Sequence, residues 1–469
     1  MKRSILILVC VLSFDNISIA QNWKEIKTGS EFSIGIKEDG TLWSWGFNGN
    51  GQLGNPTARN NEPSPIQIGN DTDWKNISAG GFHSLAIKDD GSLWGWGYNG
   101  NGQIIDDESQ SIYMPTQIGS DMDWVAVEAC YVSSFAIKND GTLWAWGYNM
   151  EGELGVNDCV EHSQPTQVGT AKWKAVSAGG LITMGIQEDN TLWRWGTNYT
   201  YSDTSGYSST IDSFPVQVGT DVDWNAVSVG FEFALALKED GTLWAYGDNS
   251  NKQLGYDTVF ANDFFQTATA HNWKQIEVGS CFSYAINDAG NLYAWGNNLF
   301  GQLGLNLGDN VSVPTLVSDM GTNIKQIAAA KGMMAGGVAG IYGLHAFVLK
   351  EDNSFCCAGA NYVGQLGTGM ISTSKTTKFI CNYPVAIADC IISSDEITIF
   401  PNPTTSYFTV TNAQDAQITL YNVLGQIICK QYSPEEQIVI STENIPQGVY
   451  FLRIEKGNKS TTRKIQIGN

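Results

Sequence analysis

Basic side chains and histidines are scarce in this chain. Its 469 residues hold 26 Lys and Arg against 47 Asp and Glu, with only 4 His. Because nucleic-acid phosphates are bound through a basic surface, this balance excludes a DNA- or RNA-binding protein. Histidines are few, and the cysteines and histidines lack the spacing of a zinc site, so the sequence does not indicate a metal centre. We therefore expect neither a metal nor a cofactor.

Long hydrophobic segments are also absent. The one apolar run, Ile5–Phe14, is too short to cross a bilayer, so we predict no transmembrane segment. It follows a basic start and precedes a small-residue motif that ends at Ala20, which is typical of a secretory signal peptide. We predict a signal peptide over residues 1–20, cleaved between Ala20 and Gln21, and a protein that is secreted or held on the outer cell surface.

Cysteine is too sparse for a disulfide scaffold, with eight residues after the signal peptide. Cys381 and Cys390 close a short loop and are the one candidate disulfide pair. The adjacent Cys356 and Cys357 are expected to be buried as small apolar side chains.

Aromatic residues, by contrast, are abundant and regularly spaced. A segment of about fifty residues that begins near Trp23 recurs seven times and fills residues 21–390. A second anchor position in each copy marks the period. In chain order its residues are Trp43, Trp94, Trp144, Trp193, Trp244, Tyr293 and Cys356.

Each copy contains strand patterns and no helix pattern. Two β-rich runs, such as 82–88 and 92–96, are joined by a turn that ends in Gly or Asn, which predicts a type I′ hairpin. Four short strands per repeat, seven times over, predict an all-β chain with a seven-bladed β-propeller. A Gly and, two residues later, an Asn end the second hairpin strand in every copy, as at Gly46 and Asn48. The Gly predicts a bend, and the Asn amide is expected to bind the local backbone.

The repeat resembles the regulator of chromosome condensation repeat family. The pattern G-x-L-W-x-W-G-x-N-x-x-G-Q-L-G carries the resemblance, with good matches at 40–54, 241–255 and 290–304. The resemblance implies a seven-bladed propeller closed by pairing strands from the two ends of the chain. The family's G-x-x-H position survives only as His83 and His345.

A different pattern begins after residue 390. Alternating strand runs separated by turn clusters predict a small C-terminal β-sandwich over 391–469. The motifs FPNP at 400–403, LYNVLGQ at 420–426 and IPQGVYFLRI at 445–454 resemble the type A C-terminal sorting domain of the bacterial type IX secretion system. The resemblance implies export across an outer membrane, with the type IX machinery as a partner. This segment holds seven acids and six bases, so the acidity belongs to the repeats.

Candidate ligand-binding residues lie where aromatic residues interrupt the repeat. Rigid propellers bind through their loops, and Tyr-Ser-Gly mixtures such as 199–214 are typical of recognition loops. The alternative to ligand binding is that the repeat pattern has simply been lost in these segments and that their aromatic side chains are folded into the core. The candidates are Tyr113, Tyr199, Tyr201, Tyr207, Phe264 and Phe265.

Paired aspartates before three of the opening tryptophans allow two interpretations. They could begin an extracellular Ca²⁺ site, or they could be turn residues between blades, which is the favoured reading because each pair lacks further oxygen ligands. The pairs are Asp71 and Asp73, Asp121 and Asp123, and Asp221 and Asp223.

These patterns together predict a non-catalytic binding protein for a protein or glycan ligand, without a catalytic residue. Two alternatives stay open. One is a guanine-nucleotide exchange regulator, implied by family analogy, although export and acidity oppose it. The other is a carbohydrate-active enzyme whose carboxylate pair the sequence does not reveal.

Overall fold

The computed structural model of the chain divides into two compact units, Met1–Pro384 and Val385–Asn469. The predicted signal peptide, its cleavage position at Ala20 and Gln21, and Cys390 lie outside the described residues. The structure describes residues 22–58, 60–267, 272–308, 310–332, 334–335, 340–341, 343–381, 399–401, 404, 406–422, 427–442, 445–456 and 459–468.

The first unit is a β-propeller of seven antiparallel blades, as the repeat predicts. Each blade uses four strands in chain order, from the inner strand at the opening tryptophan to the outer strand. The strands of the first four blades are β1 (Trp23–Thr28), β2 (Phe32–Lys37), β3 (Leu42–Phe47), β4 (Asn61–Ile68), β5 (Trp74–Ala79), β6 (His83–Lys88), β7 (Leu93–Tyr98), β8 (Ser111–Gln117), β9 (Trp124–Ala129), β10 (Ser133–Lys138), β11 (Thr142–Gly147), β12 (His162–Ala178), β13 (Ile182–Gln187), β14 (Leu192–Ser202) and β15 (Gly206–Gln217).

The long strand β12 serves two blades, so blades three and four share one seven-stranded sheet. A short 3-10 helix covers Ser318–Met320, and a small two-stranded sheet interrupts blade seven. The remaining strands of this unit are β16 (Trp224–Val229), β17 (Phe233–Lys238), β18 (Leu243–Asp248), β19 (Phe260–Gln266), β20 (Trp273–Val278), β21 (Phe282–Asn287), β22 (Leu292–Gly296), β23 (Val311–Leu316), β24 (Ile324–Ala329), β25 (Met334–Ala335), β26 (Gly340–Ile341), β27 (His345–Lys350), β28 (Phe355–Asn361) and β29 (Ser372–Cys381).

Hydrophobic side chains fill the space between neighbouring blades. In blade one Trp23 and Trp45 are buried, with ring centroids 5.4 Å apart, and they pack against Phe347 of blade seven. Because one sheet face is covered by the preceding blade and the other by the next, a single repeat has no independent core. Each repeat therefore needs hydrophobic side chains on both faces of its sheet, which is why the hydrophobic strand pattern recurs with so little change.

The hairpin turns of the repeats differ from the predicted type I′. The last turn residue does adopt a positive φ, for example 78° at Gly40 and 62° at Asn190. The preceding residues, such as Asp39, do not, whereas type I′ requires two consecutive positive φ values. Gly40 N–H donates to the Lys37 carbonyl at 2.9 Å, so the turn is type I followed by one left-handed residue.

The propeller closes without exchange of strands, so the implied pairing of strands from the two chain ends is wrong. Blade one consists of β1–β4 alone, and blade seven of β24 and β27–β29. Inner strand β1 instead lies beside β24 and β27, where its Ile26 packs in one hydrophobic cluster with Ala328 and Phe347. Closure therefore depends on the same lateral packing that joins every other pair of blades.

The disulfide also differs from the candidate pair. Cys356 of β28 is bonded to Cys381 of β29, because these residues are direct cross-strand partners in blade seven. The prediction of a Cys381–Cys390 pair is therefore wrong. So is the expectation that Cys356 is a small apolar side chain outside any disulfide. Cys357 is a buried free thiol, as expected.

The second unit is the predicted β-sandwich, with one three-stranded and one four-stranded sheet. Its core lies between the sheets and includes Phe408, Leu420 and Ile454, all fully buried. The strands are β30 (Ile399–Phe400), β31 (Tyr407–Thr411), β32 (Ala416–Asn422), β33 (Ile427–Ser433), β34 (Gln437–Ser441), β35 (Gly448–Lys456) and β36 (Lys459–Ile467).

Candidate functional site

On one face of the propeller, the repeat asparagine holds the loop in six of the seven blades. Asn48 Oδ1 accepts a hydrogen bond from Leu53 N–H at 3.0 Å, and five further copies repeat this contact. In blade five the Nδ2 group of Asn249 also binds the carbonyl of Thr258 at 2.6 Å. The predicted role of this asparagine is confirmed in those six copies. In blade four, Asn198 binds the Arg194 guanidinium instead.

Each of these loops also reaches into the next blade. The Gln52 carbonyl accepts the indole N–H of Trp96 at 2.9 Å and the hydroxyl of Ser84 at 3.2 Å. The same kind of hydroxyl contact joins four other blade pairs. These bonds fix neighbouring loops relative to one another, so the face of the ring is rigid.

The two histidines of the family position belong to this inter-blade network. His83 Nε2 lies 2.9 Å from Ser134 Oγ of blade three, and His345 Nε2 lies 3.1 Å from Ser33 Oγ of blade one. Both rings are fully buried, and burial lowers the pKa of each to about 3. They are neutral packing residues, and neither is available for acid–base chemistry.

On this face, the loops of blades one to five surround a concave site of about 460 Å³, here called the hollow. Its volume falls in the usual range of ligand pockets. Five aromatic rings from blades two, three and five line it, namely Phe82, Tyr98, Tyr131, Tyr148 and Phe231. The other lining residues are Asn50, Asn101, Val132, Gly180 and Leu181.

Two of the rings lie against glycines of the preceding blade. A methyl group at Gly180 would be 2.5 Å from the Phe231 ring, and one at Gly81 would be 2.6 Å from the Tyr131 ring. Any larger residue would displace these rings. The rings are therefore oriented before a ligand arrives.

The lining of the hollow is uncharged, and the nearby charges are acidic or already paired. Burial, followed by the charge of Asp248, raises the pKa of Glu232, which adjoins Phe231. Toward the central channel, Lys331 Nζ lies 2.8 Å from Glu128 Oε1. The hollow thus presents aromatic faces and amides without a free cation among its described lining residues.

The paired aspartates bind a lysine of their own blade. Lys138 Nζ lies 2.5 Å from Asp121 Oδ2 and 3.1 Å from Asp123 Oδ1, and 4.8 Å from the centre of the Trp124 ring. Burial alone would lower the pKa of Lys138, but the hydrogen bonds to both aspartates outweigh it and raise the pKa. The same arrangement occurs around Lys88 and Lys238. An ammonium group thus occupies the position considered for Ca²⁺. Within the described ranges, no three His, Cys, Asp or Glu side chains are grouped to hold a metal ion.

The aromatic residues predicted as ligand-binding lie outside the hollow. The rings of Tyr201 and Tyr207 lie 5.0 Å apart, tilted by 57°, on the β14–β15 hairpin, which bonds to Asn262 of blade five. Tyr199, half-buried on the same hairpin, packs against the core between blades four and five. Tyr113 is exposed on the outer strand β8.

The two predicted phenylalanines are separated from each other as well. Phe264 stacks on Tyr246 at 5.5 Å and packs into the core between blades four and five. Phe265 points to the other side of β19, where it meets Tyr256 at 5.5 Å. The structure unites Tyr201 with Tyr207, but it does not bring the six candidates together, and binding by any of them stays a prediction.

Sequence reasoning did not select the rings of the hollow. Phe82, Tyr131 and Phe231 occupy the two positions before the family histidine position in three different copies. Aligning those two columns across the repeats would have shown these aromatic residues in blades two, three and five. The loop irregularities drew attention to the outer rim instead.

Comparison with known protein families agrees with the architecture. The regulator of chromosome condensation (RCC1) repeat matches residues 39–87, 140–186 and 289–333, and a second description of the same repeat matches 23–52, 74–103, 224–253 and 273–302. The secretion system C-terminal sorting domain matches 398–468. The chain therefore carries RCC1 repeats followed by a sorting domain of the type IX secretion system, which marks it for export.

Similar sequences and structures support the fold. Over 80 residues the chain is 34% identical to the mitochondrial RCC1 domain-containing protein RUG3 of Arabidopsis thaliana, covering 17% of this chain and 18% of that protein. It is 35% identical over 82 residues to the ultraviolet-B receptor UVR8 of the same plant, covering 17% and 19%. The matched segment thus spans less than a fifth of either relative.

Two solved structures share the propeller fold. Human WBSCR16 superposes with a TM-score of 0.59 at 20% identity, covering 66% of this chain and 85% of that one. Prp20p of Saccharomyces cerevisiae superposes with a TM-score of 0.58 at 20% identity, covering 66% and 80%. No helix among the described residues is long and apolar enough to span a membrane.

Proposed function

We propose that this chain is a secreted or cell-surface binding protein, without a catalytic role, whose propeller recognises a protein or glycan ligand through the hollow. The observation that carries the proposal is the set of five aromatic rings that converge from separate loops onto one concave site. All five rings are half-buried, and the ring faces left open in the hollow are apolar surface that a ligand would cover.

The rigidity of the loops supports binding. The asparagine contacts and the inter-blade carbonyl bonds order the face before association. Because little conformational freedom is lost on binding, more of the contact energy is available as affinity.

The lining chemistry favours binding over catalysis. The described lining residues include no carboxylate, imidazole, thiol or cationic group. Hydrolysis of a glycoside uses two carboxyl groups beside the scissile bond, and the described lining offers none. Nucleotide exchange on a partner protein would bring nucleotide phosphates near the propeller, whose surface is acidic and does not attract phosphate groups.

The test uses the full exported chain. Labelled protein is titrated onto intact cells and outer-membrane fractions of the producing bacterium, and we expect saturable binding that unlabelled protein competes away. Substitution of Phe231 by Ala should weaken it. Hydrolysis of glycosidic substrates, or acceleration of nucleotide release from a small GTPase, would contradict the proposal.

We further propose that residues 391–469 act as an independent sorting signal for export and that residues 21–390 form the exported functional domain. A reporter protein that carries 391–469 should leave a cell with a working type IX system and stay inside a type IX-deficient strain. Export of the reporter from both strains would contradict this role.

A further inference from the structure

We infer that the hollow binds a neutral carbohydrate, with sugar rings stacked on Tyr131 and Phe231. This assignment names the ligand class of the binding function proposed above and depends on that function. The volume of the hollow, about 460 Å³, suits a short saccharide segment better than a protein surface, since protein interfaces are broad and shallow by comparison.

Charge excludes anionic ligands first. A carboxylate, sulfate or phosphate group would meet no cation among the described lining residues. The nearby Lys331 ammonium is already paired with Glu128. An anion would therefore lose its hydration without an opposing charge.

Cationic ligands are disfavoured by comparison with sites elsewhere in the chain. Where this propeller holds an ammonium group, as at Lys238, it places two aromatic rings and two carboxylates around it. The hollow has the rings without the carboxylates. Its lining matches a ligand that carries no formal charge.

The ring geometry matches the faces of a sugar. Tyr131 and Phe231 are held by the glycines beneath them, and the Tyr98 ring folds onto Gly100, so their orientations are set in advance. The C–H faces of a pyranose are apolar and slightly positive, and they complement the negative face of an aromatic ring. Hydroxyl groups at the sugar edge need donors and acceptors, which the side-chain amides of Asn50 and Asn101 can supply. One N–H of Asn101 Nδ2 already donates to Glu161 Oε1 at 2.9 Å, which leaves its second N–H and its oxygen for the ligand.

The test compares charge classes of probe on the full exported chain. Neutral probes are cellohexaose, maltohexaose, xylohexaose and a mannan oligosaccharide. Charged probes are polygalacturonate, heparin and oligolysine. Calorimetry measures affinity for the unmodified protein and for the Phe231→Leu and Tyr131→Leu variants, which keep apolar volume but lose the flat ring. Tyr432→Leu, on the C-terminal unit, is the matched control.

We expect at least one neutral probe to bind, with affinity lowered about tenfold by either hollow substitution and unchanged by Tyr432→Leu. Hydroxyl-radical footprinting of the unmodified protein gives a second readout if a variant folds poorly, because bound saccharide should protect Tyr98 and Tyr131 from oxidation. Protection of these tyrosines supports the assignment.

Other outcomes overturn it. Preferred binding of polygalacturonate, heparin or oligolysine would show that the ligand class is wrong. So would neutral-probe binding that survives both hollow substitutions but is lost in Tyr207→Leu, since the site would then be on the outer hairpin. Failure of every neutral probe, with saturable binding to outer-membrane fractions retained, would reject the carbohydrate and leave the proposed binding function standing. Loss of both would reject the two together.

Discussion

The indole N–H of Trp45 donates to the main-chain carbonyl of Gln365 at 3.0 Å, although 320 residues separate them in the chain. Ser33 Oγ donates to the same carbonyl at 3.0 Å. These contacts join blade seven to blade one. Trp96 and Ser84 make the same contacts to the carbonyl of Gln52 between blades one and two. The junction that closes the ring is therefore chemically equivalent to an internal one.

This equivalence predicts equal costs for equivalent substitutions. Trp45→Phe should lower the free energy of unfolding by about 1–3 kcal/mol, because it removes a buried donor and leaves a small cavity. Trp96→Phe should cost a similar amount. Urea denaturation followed by circular dichroism measures both values.

The substitution Tyr362→Phe, at an exposed position, serves as the control and should change the free energy of unfolding little. If Trp45→Phe were far more damaging than Trp96→Phe, the closing junction would be a special weak point, and the equivalence would be refuted.

The fold could be predicted because its determinants are local and repeated. The contact between Asn48 and Leu53 spans five residues, and the hairpin turn at Gly40 spans four, so each copy of the pattern records them directly. The manner of closure could not be read in this way. Closure depends on whether the last repeat supplies its own outer strand, which is β29. The sequence before β29 departs from the repeat pattern, so the pattern does not identify this strand.

The disulfide in blade seven gives a second prediction. A bond between Cys356 and Cys381 closes a segment with a sequence separation of 25 residues. Loop-closure entropy then predicts that Cys381→Ser lowers the free energy of unfolding by about 3 kcal/mol. Thermal unfolding with and without reductant should show the same loss for the unmodified protein.

Cys159→Ser is the matched control, since Cys159 is an exposed free cysteine and its loss should have little effect. Non-reducing peptide mapping checks the connectivity. A bond from Cys381 to Cys390 in the mature protein would contradict the observed pairing.

The aspartate pairs give a third prediction. The double substitution Asp121→Asn with Asp123→Asn leaves the Lys138 ammonium over its tryptophan ring without a counter-charge. We expect a loss of about 1 kcal/mol, a modest value because both carboxylates are partly exposed and screened by water. Asp203→Asn, at an exposed hairpin, is the control.

The same experiment separates the two interpretations of these aspartates. Because the lysine ammonium occupies the space between them, added Ca²⁺ or EDTA should not shift the melting temperature. A rise with Ca²⁺ that disappears in the double variant would establish the cation site and overturn the ion-pair interpretation.

The candidate site was harder to predict than the fold because it has no local pattern. Phe231 and Tyr131 lie 100 positions apart, and each ring orientation depends on a glycine in another blade. Phe264 shows the converse difficulty. Its segment is irregular in sequence, yet Phe264 lies in strand β19, where stacking on Tyr246 places the ring in the core. Irregular segments indicate variation, but only the packing of neighbouring blades determines which rings stay accessible.

Glu153 provides the last prediction, because it stands where five other copies have glutamine. Its side chain is 2% exposed; Oε2 accepts the Glu151 N–H, while Oε1 has no hydrogen-bond partner. Burial raises its pKa from 4.5 to about 7, and the nearby charges of Glu151 and Glu161 add to the effect. Since the folded-state pKa is the higher one, the carboxyl contributes fully below pH 4.5, and that contribution is lost as the pH rises through 7. A shift of this size corresponds to about 3 kcal/mol.

Glu153→Gln should therefore stabilise the propeller by up to about 3 kcal/mol at pH 8 and have little effect at pH 4.5. The glutamine keeps an acceptor for the Glu151 N–H and carries no charge to desolvate. Gln103→Glu, at the equivalent position of blade two, should add a second buried carboxyl and steepen the loss of stability as the pH rises. Glu108→Gln on an exposed loop should leave the profile unchanged. Urea denaturation between pH 4.5 and 8 measures all four proteins. An unaltered pH profile in Glu153→Gln would mean that Glu153 is hydrated in the folded state, and the buried carboxyl would no longer account for any loss of stability at neutral pH.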